Sequence, residues 1–282
     1  MFLKLLATTL AVVTVSAESA PGYGGYNNIW TETFDGAAGS VINQNNWNII
    51  TGIHNNNEWQ QYTTSTQNMQ LSGGATLQIV PRKDSSGQWT SARVESTYVF
   101  TPTAGAVTRA EALIRFGDNP TANKQGLWPA FWLLGNSVRN GVAWPACGEL
   151  DILETVNGLP TGYGTIHCDA TPGGACNEPN GIGANIGIPD NGWHTWRIEW
   201  DRRASTWQGE TITWSMDGNV FQQVAGSRIN NQAVWSTIAE SPMYFILNVA
   251  VGGDWPGAPN GNTLDGFGSM MEIAYVAHYL SS

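Results

Sequence analysis

The sequence predicts an all-β protein in which short antiparallel strands form a sandwich or a barrel. Short or alternating apolar runs recur along the chain, and clusters of Gly, Asn, Asp and Pro separate them. Sustained helical periodicity and a strand–helix–strand rhythm are lacking in the sequence, which argues against a parallel α/β architecture. The runs that we predict as strands are 76–80, 107–116, 128–134, 149–156, 193–201, 211–216, 243–251 and 271–279. Asp217-Gly218 predicts a tight hairpin between two strands.

Residues 1–17 have the pattern of a secretory signal peptide. Lys4 precedes an apolar stretch, and small residues end the segment at Ala17. The apolar stretch is too short to span a bilayer. We therefore expect a secreted, extracellular protein in which residues 18–282 form one β-sandwich domain.

The charge balance argues against two classes of partner. The chain carries 22 acidic and 12 basic residues, a formal net charge of −10, and its Lys and Arg residues are scattered. Nucleic acids and anionic membranes bind clustered positive charge. We therefore expect neither as a partner, and we expect the protein to be a monomer.

An acidic strand, GELDILETV (148–156), carries three carboxylates with an unusual spacing. Side chains two apart share a strand face, so Glu149 and Asp151 point together, whereas Glu154 points away. One extra residue inserted as a β-bulge shifts this alternation by one and returns Glu154 to their face. Apolar neighbours on both sides argue against a freely solvated strand. We therefore predict a bulge in this strand and three acids in one cleft.

Three acids in one cleft suit the cleavage of a glycosidic bond. Close like charges cannot all ionise, so at least one acid keeps a proton near neutral or mildly acidic pH. A protonated acid about 5–5.5 Å from an ionised carboxylate gives hydrolysis through a covalent intermediate with retained stereochemistry. The pattern alone leaves a structural acid network or an acidic calcium site open.

Tryptophans near the acids favour a carbohydrate substrate. Trp128 and Trp132 precede the acids in GLWPAFWLLG, and Trp255 follows them in GGDWPG. An aromatic ring is a large, rigid partner for the apolar C–H face of a sugar. We expect several of the 14 tryptophans to belong to the core instead.

The three cysteines suit an oxidising compartment. Cys168 and Cys176 bracket a short Gly-rich loop, CDATPGGAC, and can close a disulfide there. Cys147 lies in an apolar segment, where we expect a buried free thiol. Neither CxxC nor paired-His spacing occurs, so we predict no metal site at these cysteines.

The run GLWPAFWLLG…WPACGELDILETVNG (126–158) resembles the catalytic segment of glycoside hydrolase family 16, in its laminarinase-like branch with E-x-D-x-x-E spacing. The similarity extends to NNEWQQYT (56–63) and FILNVAVGGDWPG (245–257). It implies a β-jelly-roll sandwich of two antiparallel sheets with a concave substrate cleft. It also implies a fungal-type secreted enzyme with a β-glucan polysaccharide as its partner.

The resemblance assigns roles to individual residues. Glu149 matches the nucleophile, Glu154 the general acid/base and Asp151 an assisting acid. The residues that we predict to contact substrate are Trp128, Trp132, Trp144, His167, Trp255, Asn68 and Arg93.

The resemblance does not require a cofactor, but it raises the question of a structural calcium. Family members often bind calcium through an acid near the first strand and an Asp in a C-terminal strand. Ala274 stands in place of that Asp, which weakens the case for calcium. Glu32 and Glu272 are the acids that could compensate.

The leading function prediction is a secreted retaining endo-β-1,3-glucanase that hydrolyses laminarin-type glucans. A mixed-linkage endo-1,3(4)-β-glucanase and a glucan transglycosylase would use the same three acids. The alternative from another class is a non-catalytic β-glucan-recognition protein, since fold alone does not fix function. Such binders typically lose one of the two glutamates, and this chain keeps both.

Overall fold

The protein is a sandwich of two large antiparallel sheets. The computed structural model describes residues 19–282, so the predicted signal peptide, 1–17, lies outside the described residues. Within 19–282, none of the helices combines the length and apolar character needed to cross a bilayer. The prediction of an all-β jelly-roll fold is confirmed.

The elements of the described chain are mostly short strands. The strands are β1 (Tyr26–Glu32), β2 (Trp47–Ile50), β3 (Gln61–Tyr62), β4 (Met69–Leu71), β5 (Leu77–Ile79), β6 (Arg82–Lys83), β7 (Trp89–Ser91), β8 (Arg93–Phe100), β9 (Val107–Phe116), β10 (Leu127–Gly135), β11 (Glu149–Glu154), β12 (Thr161–His167), β13 (Ile182–Gly187), β14 (His194–Asp201), β15 (Thr211–Met216), β16 (Asn219–Ala225), β17 (Met243–Val251) and β18 (Met271–Ser281). The helices are α1 (Gly226–Ile229) and α2 (Gln232–Ala239), with 3-10 turns at Thr121–Asn123, Asn136–Asn140, Trp207–Gly209 and Phe267–Ser269.

The two large sheets of the sandwich are named the site sheet and the back sheet. The first, called the site sheet, has the strand order β13-β12-β11-β10-β17-β8-β2. The second, called the back sheet, has the order β16-β15-β14-β9-β18-β5-β4, and β1 also pairs with β18. The core lies between them, where the ring of Trp200 in the back sheet meets Phe100 of the site sheet edge-on at 5.8 Å.

Alternation along the central strands of the site sheet separates core from cleft. In β17, Phe245, Leu247 and Val249 enter the core, whereas Tyr244 and Asn248 face a cavity on the opposite side of the sheet. All nine residues of β17 are buried, because both faces are covered. The continuous apolar run of this strand therefore reflects a central position in the sheet.

Every predicted strand is present, and the predicted hairpin is correct. The bounds of β9, β15 and β17 coincide with the predicted ones. Met216 pairs with Asn219 across the turn, and both turn residues have positive φ, 50° at Asp217 and 79° at Gly218. A two-residue turn of this kind matches the twist of the strands that it joins.

The predicted disulfide joins Cys168 to Cys176 and closes the loop after β12. Both cysteines are fully buried in the core cluster. Cys147 is a buried free thiol, as predicted. Burial and the nearby charge of Glu149 raise the pKa of Cys147 to about 11, so the thiol stays protonated at neutral pH.

Replacing both Cys168 and Cys176 with Ala should lower the free energy of unfolding by ~2–3 kcal/mol, because a short closed loop restricts the unfolded chain. Urea unfolding measures the change. Cys147→Ala is the matched control, since it removes a buried sulfur without opening a loop. Equal losses in the two variants would contradict a stabilising crosslink.

Candidate active site

The three acids lie on one face because β11 contains the predicted bulge. Against β12, Asp151 pairs with Thr165 and Glu154 pairs with Tyr163, so two residues of β11 oppose one residue of β12. The register of β11 against β10 shifts at the same place. This arrangement is a β-bulge, and it reverses the side-chain alternation from that point on.

The side chains on either side of the bulge show its effect. Ile152 and Leu153 are consecutive, yet both are fully buried in the core. Glu149, Asp151 and Glu154 all line the cavity on the other face of the sheet. The prediction that one backbone irregularity brings the three carboxylates together is confirmed.

A tryptophan of the back sheet donates a hydrogen bond to the bulged strand across the core. The indole Nε1–H of Trp214 donates to the main-chain oxygen of Asp151 at 2.8 Å. A Cβ on Gly164 of β12 would lie only 2.6 Å from Cδ1 of Trp214. Glycine at this position therefore leaves room for the ring that satisfies the carbonyl of the bulged strand.

The cavity above the acids has a volume of about 740 Å³. Strands β8, β10, β11 and β17 form its floor, and the loop 52–58 forms one wall. Its lining mixes aromatic, aliphatic and polar side chains, which include Tyr62, Glu58, Ala130, Leu134, Tyr244, Asn248 and Ala250. A cavity of this size and character is typical of a ligand site.

Glu154 is the acid that holds a proton near neutral pH. Burial raises its pKa to about 7, although the hydrogen bond from Trp128 Nε1 and the charge of His167 lower it, and Glu149 raises it further. The Trp128 Nε1 to Glu154 Oε1 distance is 2.8 Å. A carboxyl group with this pKa can donate a proton to a leaving group.

Burial also raises the pKa values of the other two acids, Glu149 and Asp151, but different neighbours act on each. Burial raises the pKa of Glu149, and the charges of His167 and Arg93 and a hydrogen bond from Trp144 oppose the rise. Burial and the charge of Glu154 hold the pKa of Asp151 well above its usual value. Arg93, His167 when it is protonated, and the Trp144 donor all favour the ionised form of Glu149.

The structure brings four of the seven predicted substrate-contacting residues to the cavity: Trp128, Trp132, Trp144 and Arg93. The indole of Trp132 donates to Asn248 Oδ1 at 2.7 Å. The guanidinium of Arg93 lies 4.7 Å from the centre of the Trp132 ring and pairs with Glu95 at 2.7 Å. These contacts fix the orientation of the ring.

Two further predicted residues lie next to the cavity without lining it. Trp255 is half-exposed and meets Trp128 edge-on at 5.5 Å, which places it at the rim. His167 lies beside the acids, with Nε2 3.5 Å from Asp151 Oδ2 and its ring 5.7 Å from the ring of Trp144.

The prediction for Asn68 is wrong. Asn68 is buried away from the cavity, and its amide donates to Val80 O and to Thr90 Oγ1. Its side-chain oxygen accepts a hydrogen bond from Thr63 at 2.7 Å. With its amide satisfied inside the protein, Asn68 ties loop segments together and has no free group for a ligand.

Sequence reasoning missed a polar chain in the cavity. Trp132 donates to Asn248, Asn248 donates to Tyr62 Oη at 3.2 Å, and Tyr62 donates to Glu58 Oε2 at 3.3 Å. Burial raises the pKa of Glu58 despite these donors. A single Asn within the apolar strand MYFILNVAV was the signal that could have identified Asn248.

The groups that could hold a cation lie at the acids. Among residues 19–282, the grouping of His, Cys, Asp and Glu suited to an ion is Glu149, Asp151 and His167, with one ligand atom each within 4.8 Å of the others. Glu272, one of the acids considered for calcium, is paired with Arg115 at 2.6 Å, a contact that disfavours a cation. Glu32 accepts hydrogen bonds from Asn46 and Trp47.

Comparison with known proteins places the chain in a family. A family model described as "XgeA-like, catalytic GH16 domain" matches residues 47–183. The crystal structure of an endo-1,3-β-glucanase from Streptomyces sioyaensis is 39% identical, with a TM-score of 0.88, and the match covers 94% of this chain and 100% of that one. The chain belongs to glycoside hydrolase family 16. The predicted family is thereby confirmed.

Two curated relatives of this family 16 chain are much longer proteins. Glucan endo-1,3-beta-glucosidase A1 of Niallia circulans is 28% identical over 95% of this chain and 40% of its own length. The clotting factor G alpha subunit of Tachypleus tridentatus is 28% identical over 89% of this chain and 33% of its own length. The chain thus spans less than half of each of these relatives.

Trp214→Phe should destabilise this family 16 protein by about 1–3 kcal/mol beyond the loss of packing, because a buried carbonyl of the bulge loses its donor. Trp196→Phe is the matched control. Trp196 is equally buried in the back sheet, and its Nε1 has no hydrogen-bond partner among residues 19–282. Urea unfolding of the two variants gives the comparison, and a Trp214 loss no larger than the Trp196 loss would contradict the support of the bulge.

Proposed function

We propose that this chain is a retaining endo-β-1,3-glucanase that hydrolyses laminarin-type β-glucans by double displacement. The observation that carries the proposal is the bulge in β11. It places the side chains of Glu149, Asp151 and Glu154 in the same cavity. Membership of family 16 and the likeness to an endo-1,3-β-glucanase of known structure support the choice of substrate.

In the first step, Glu149 attacks the anomeric carbon as Glu154 protonates the leaving glycosidic oxygen. The bond to the leaving sugar breaks, and a covalent glycosyl-enzyme forms with inverted configuration. The charge of Arg93 and the Trp144 donor favour the ionised form of Glu149, and burial favours a proton on Glu154. The two neighbouring acids therefore start the reaction in opposite protonation states.

In the second step, Glu154 acts as a base. It removes a proton from a water molecule, which attacks the anomeric carbon and releases Glu149. The second inversion restores the original configuration. Asp151, the residue between the two glutamates in the sequence, is the assisting acid, and its charge is coupled to those of Glu149 and Glu154.

The cavity walls suit a neutral polysaccharide. Trp128, Trp132 and Trp144 present large aromatic surfaces to the apolar faces of sugar rings. Asn248, Tyr62 and Glu58 offer polar atoms for hydroxyl groups. Secretion of the enzyme is part of the proposal, and the buried disulfide supports it.

Glu149→Gln and Glu154→Gln should each lower kcat on laminarin by orders of magnitude while leaving laminarin binding largely intact, because most binding comes from stacking and hydroxyl contacts. A reducing-sugar assay on laminarin, lichenan and carboxymethyl cellulose measures the rates, with and without a chelator. Proton NMR of the first product should show the β-anomer.

Glu199→Gln is the control for these variants, because Glu199 lies in the back sheet and pairs with Arg109. Its rate should match that of the unmodified protein. Binding of laminarin without any release of reducing ends would instead favour a glucan-recognition protein. Products from lichenan as well as laminarin would extend the substrate to mixed-linkage glucan.

The rate should fall as the pH rises through about 7, since Glu154 must be protonated to act as an acid and its pKa is about 7. Trp128→Phe removes the hydrogen bond that lowers this pKa, so the alkaline limb of the kcat profile should move to higher pH. Trp132→Phe is the control, because its indole binds Asn248 rather than a carboxylate. An unmoved limb in Trp128→Phe would refute the assignment of that limb to Glu154.

A further inference from the structure

A buried carboxylate outside the cavity contacts the site through one histidine. Glu178 lies two residues after Cys176, and its side chain is fully buried. Its Oε1 accepts a hydrogen bond from the main-chain N–H of Cys168 at 2.8 Å. Its Oε2 lies 2.7 Å from Nδ1 of His167. Both oxygens of Glu178 are therefore used.

The contact with Glu178 determines how His167 presents its other nitrogen. A carboxylate only accepts hydrogen bonds, so Nδ1 of His167 is the donor. The ring then faces Asp151 with Nε2, at 3.5 Å from Oδ2. That oxygen of Asp151 has no hydrogen-bond partner among residues 19–282. Nε2 of His167 can donate to this oxygen when the imidazole is protonated, or accept from it when Asp151 carries the proton.

The loop that carries Glu178 is fastened at several points. The disulfide joins its start to Cys176. The main-chain N–H of Glu178 donates to Gly173 O at 2.6 Å, and the N–H of Gly173 donates back to Glu178 O at 2.8 Å. From this loop the carboxylate of Glu178 points toward the end of β12, where it contacts Cys168 and His167.

We propose that Glu178 is a positioning residue that holds His167 against Asp151, and that the disulfide-closed loop presents it. The inference rests on the proposed function, because its effect is on hydrolysis at the neighbouring acids. Glu178 does not line the cavity and acts only through the imidazole ring. In metal sites, partners that orient a functional histidine in this way typically affect activity 10–100-fold.

A double-mutant cycle tests this role. Glu178→Ala should lower kcat on laminarin by about 10-fold or more, in the range known for such orienting partners, with little change in KM. His167→Ala should lower kcat at least as much. The double variant should be no slower than His167→Ala alone, because Glu178 has no effect once the ring is gone. Glu178→Gln keeps an oxygen acceptor for Nδ1 and should recover part of the loss.

Two controls separate positioning from folding. Asp217→Asn alters another carboxylate that lies 2.6 Å from a histidine nitrogen, Nδ1 of His194, and should leave kcat unchanged. Thermal unfolding of each variant checks the fold, and the cycle is run with Glu178→Gln if Glu178→Ala does not fold.

The proposal is overturned if the kcat losses of Glu178→Ala and His167→Ala multiply in the double variant, or if Glu178→Ala changes only KM. If the proposed function itself is wrong, the unmodified protein will release no reducing ends from any of the glucans. If the enzyme is active and depends on Glu149, but the kcat losses at Glu178 and His167 are independent, only the positioning role of Glu178 is contradicted.

Discussion

The site depends on one extra residue in strand β11. A regular strand would send Glu154 to the face opposite Glu149, into the core between the sheets. The bulge instead places Ile152 and Leu153 side by side in that core and keeps Glu154 on the cavity face. Burial of two consecutive apolar side chains and the hydrogen bond from Trp214 to the bulged strand both favour this register.

Once the acids share a cavity, their neighbours give them different chemistry. All three are raised in pKa by burial, which disfavours charge on each. The charge of Arg93 lowers the pKa of Glu149, whereas the charges of Glu154 and Glu149 raise that of Asp151. Environment therefore determines how the pKa of each of the three acids departs from its usual value.

The packing that supports the bulge also explains why part of the sheet was not recognised in the sequence. Strand β12 reads TGYGTIH, and its glycines suggest turns rather than a strand. In the structure, the rings of Trp196 and Trp214 from the back sheet occupy the space that side chains at Gly162 and Gly164 would need. Strand β13 reads IGANIG and was missed for the same compositional reason. The short strands β2, β3, β4, β6 and β7 offer too few residues for a period to be visible.

Local pattern in the sequence was enough to predict the fold class, eight of the strands and the need for a bulge, because alternation along a strand is a local property. It also determined the pairing of Cys168 with Cys176. Which polar residues meet the acids depends on how the loops and sheets pack in three dimensions. The amide of Asn68 is bonded to Val80 and Thr90 away from the cavity, whereas Glu178 contacts His167 from beyond the disulfide. Such contacts join segments through the packing of loops and sheets, and neither periodicity nor spacing in the sequence records which side chains that packing brings together.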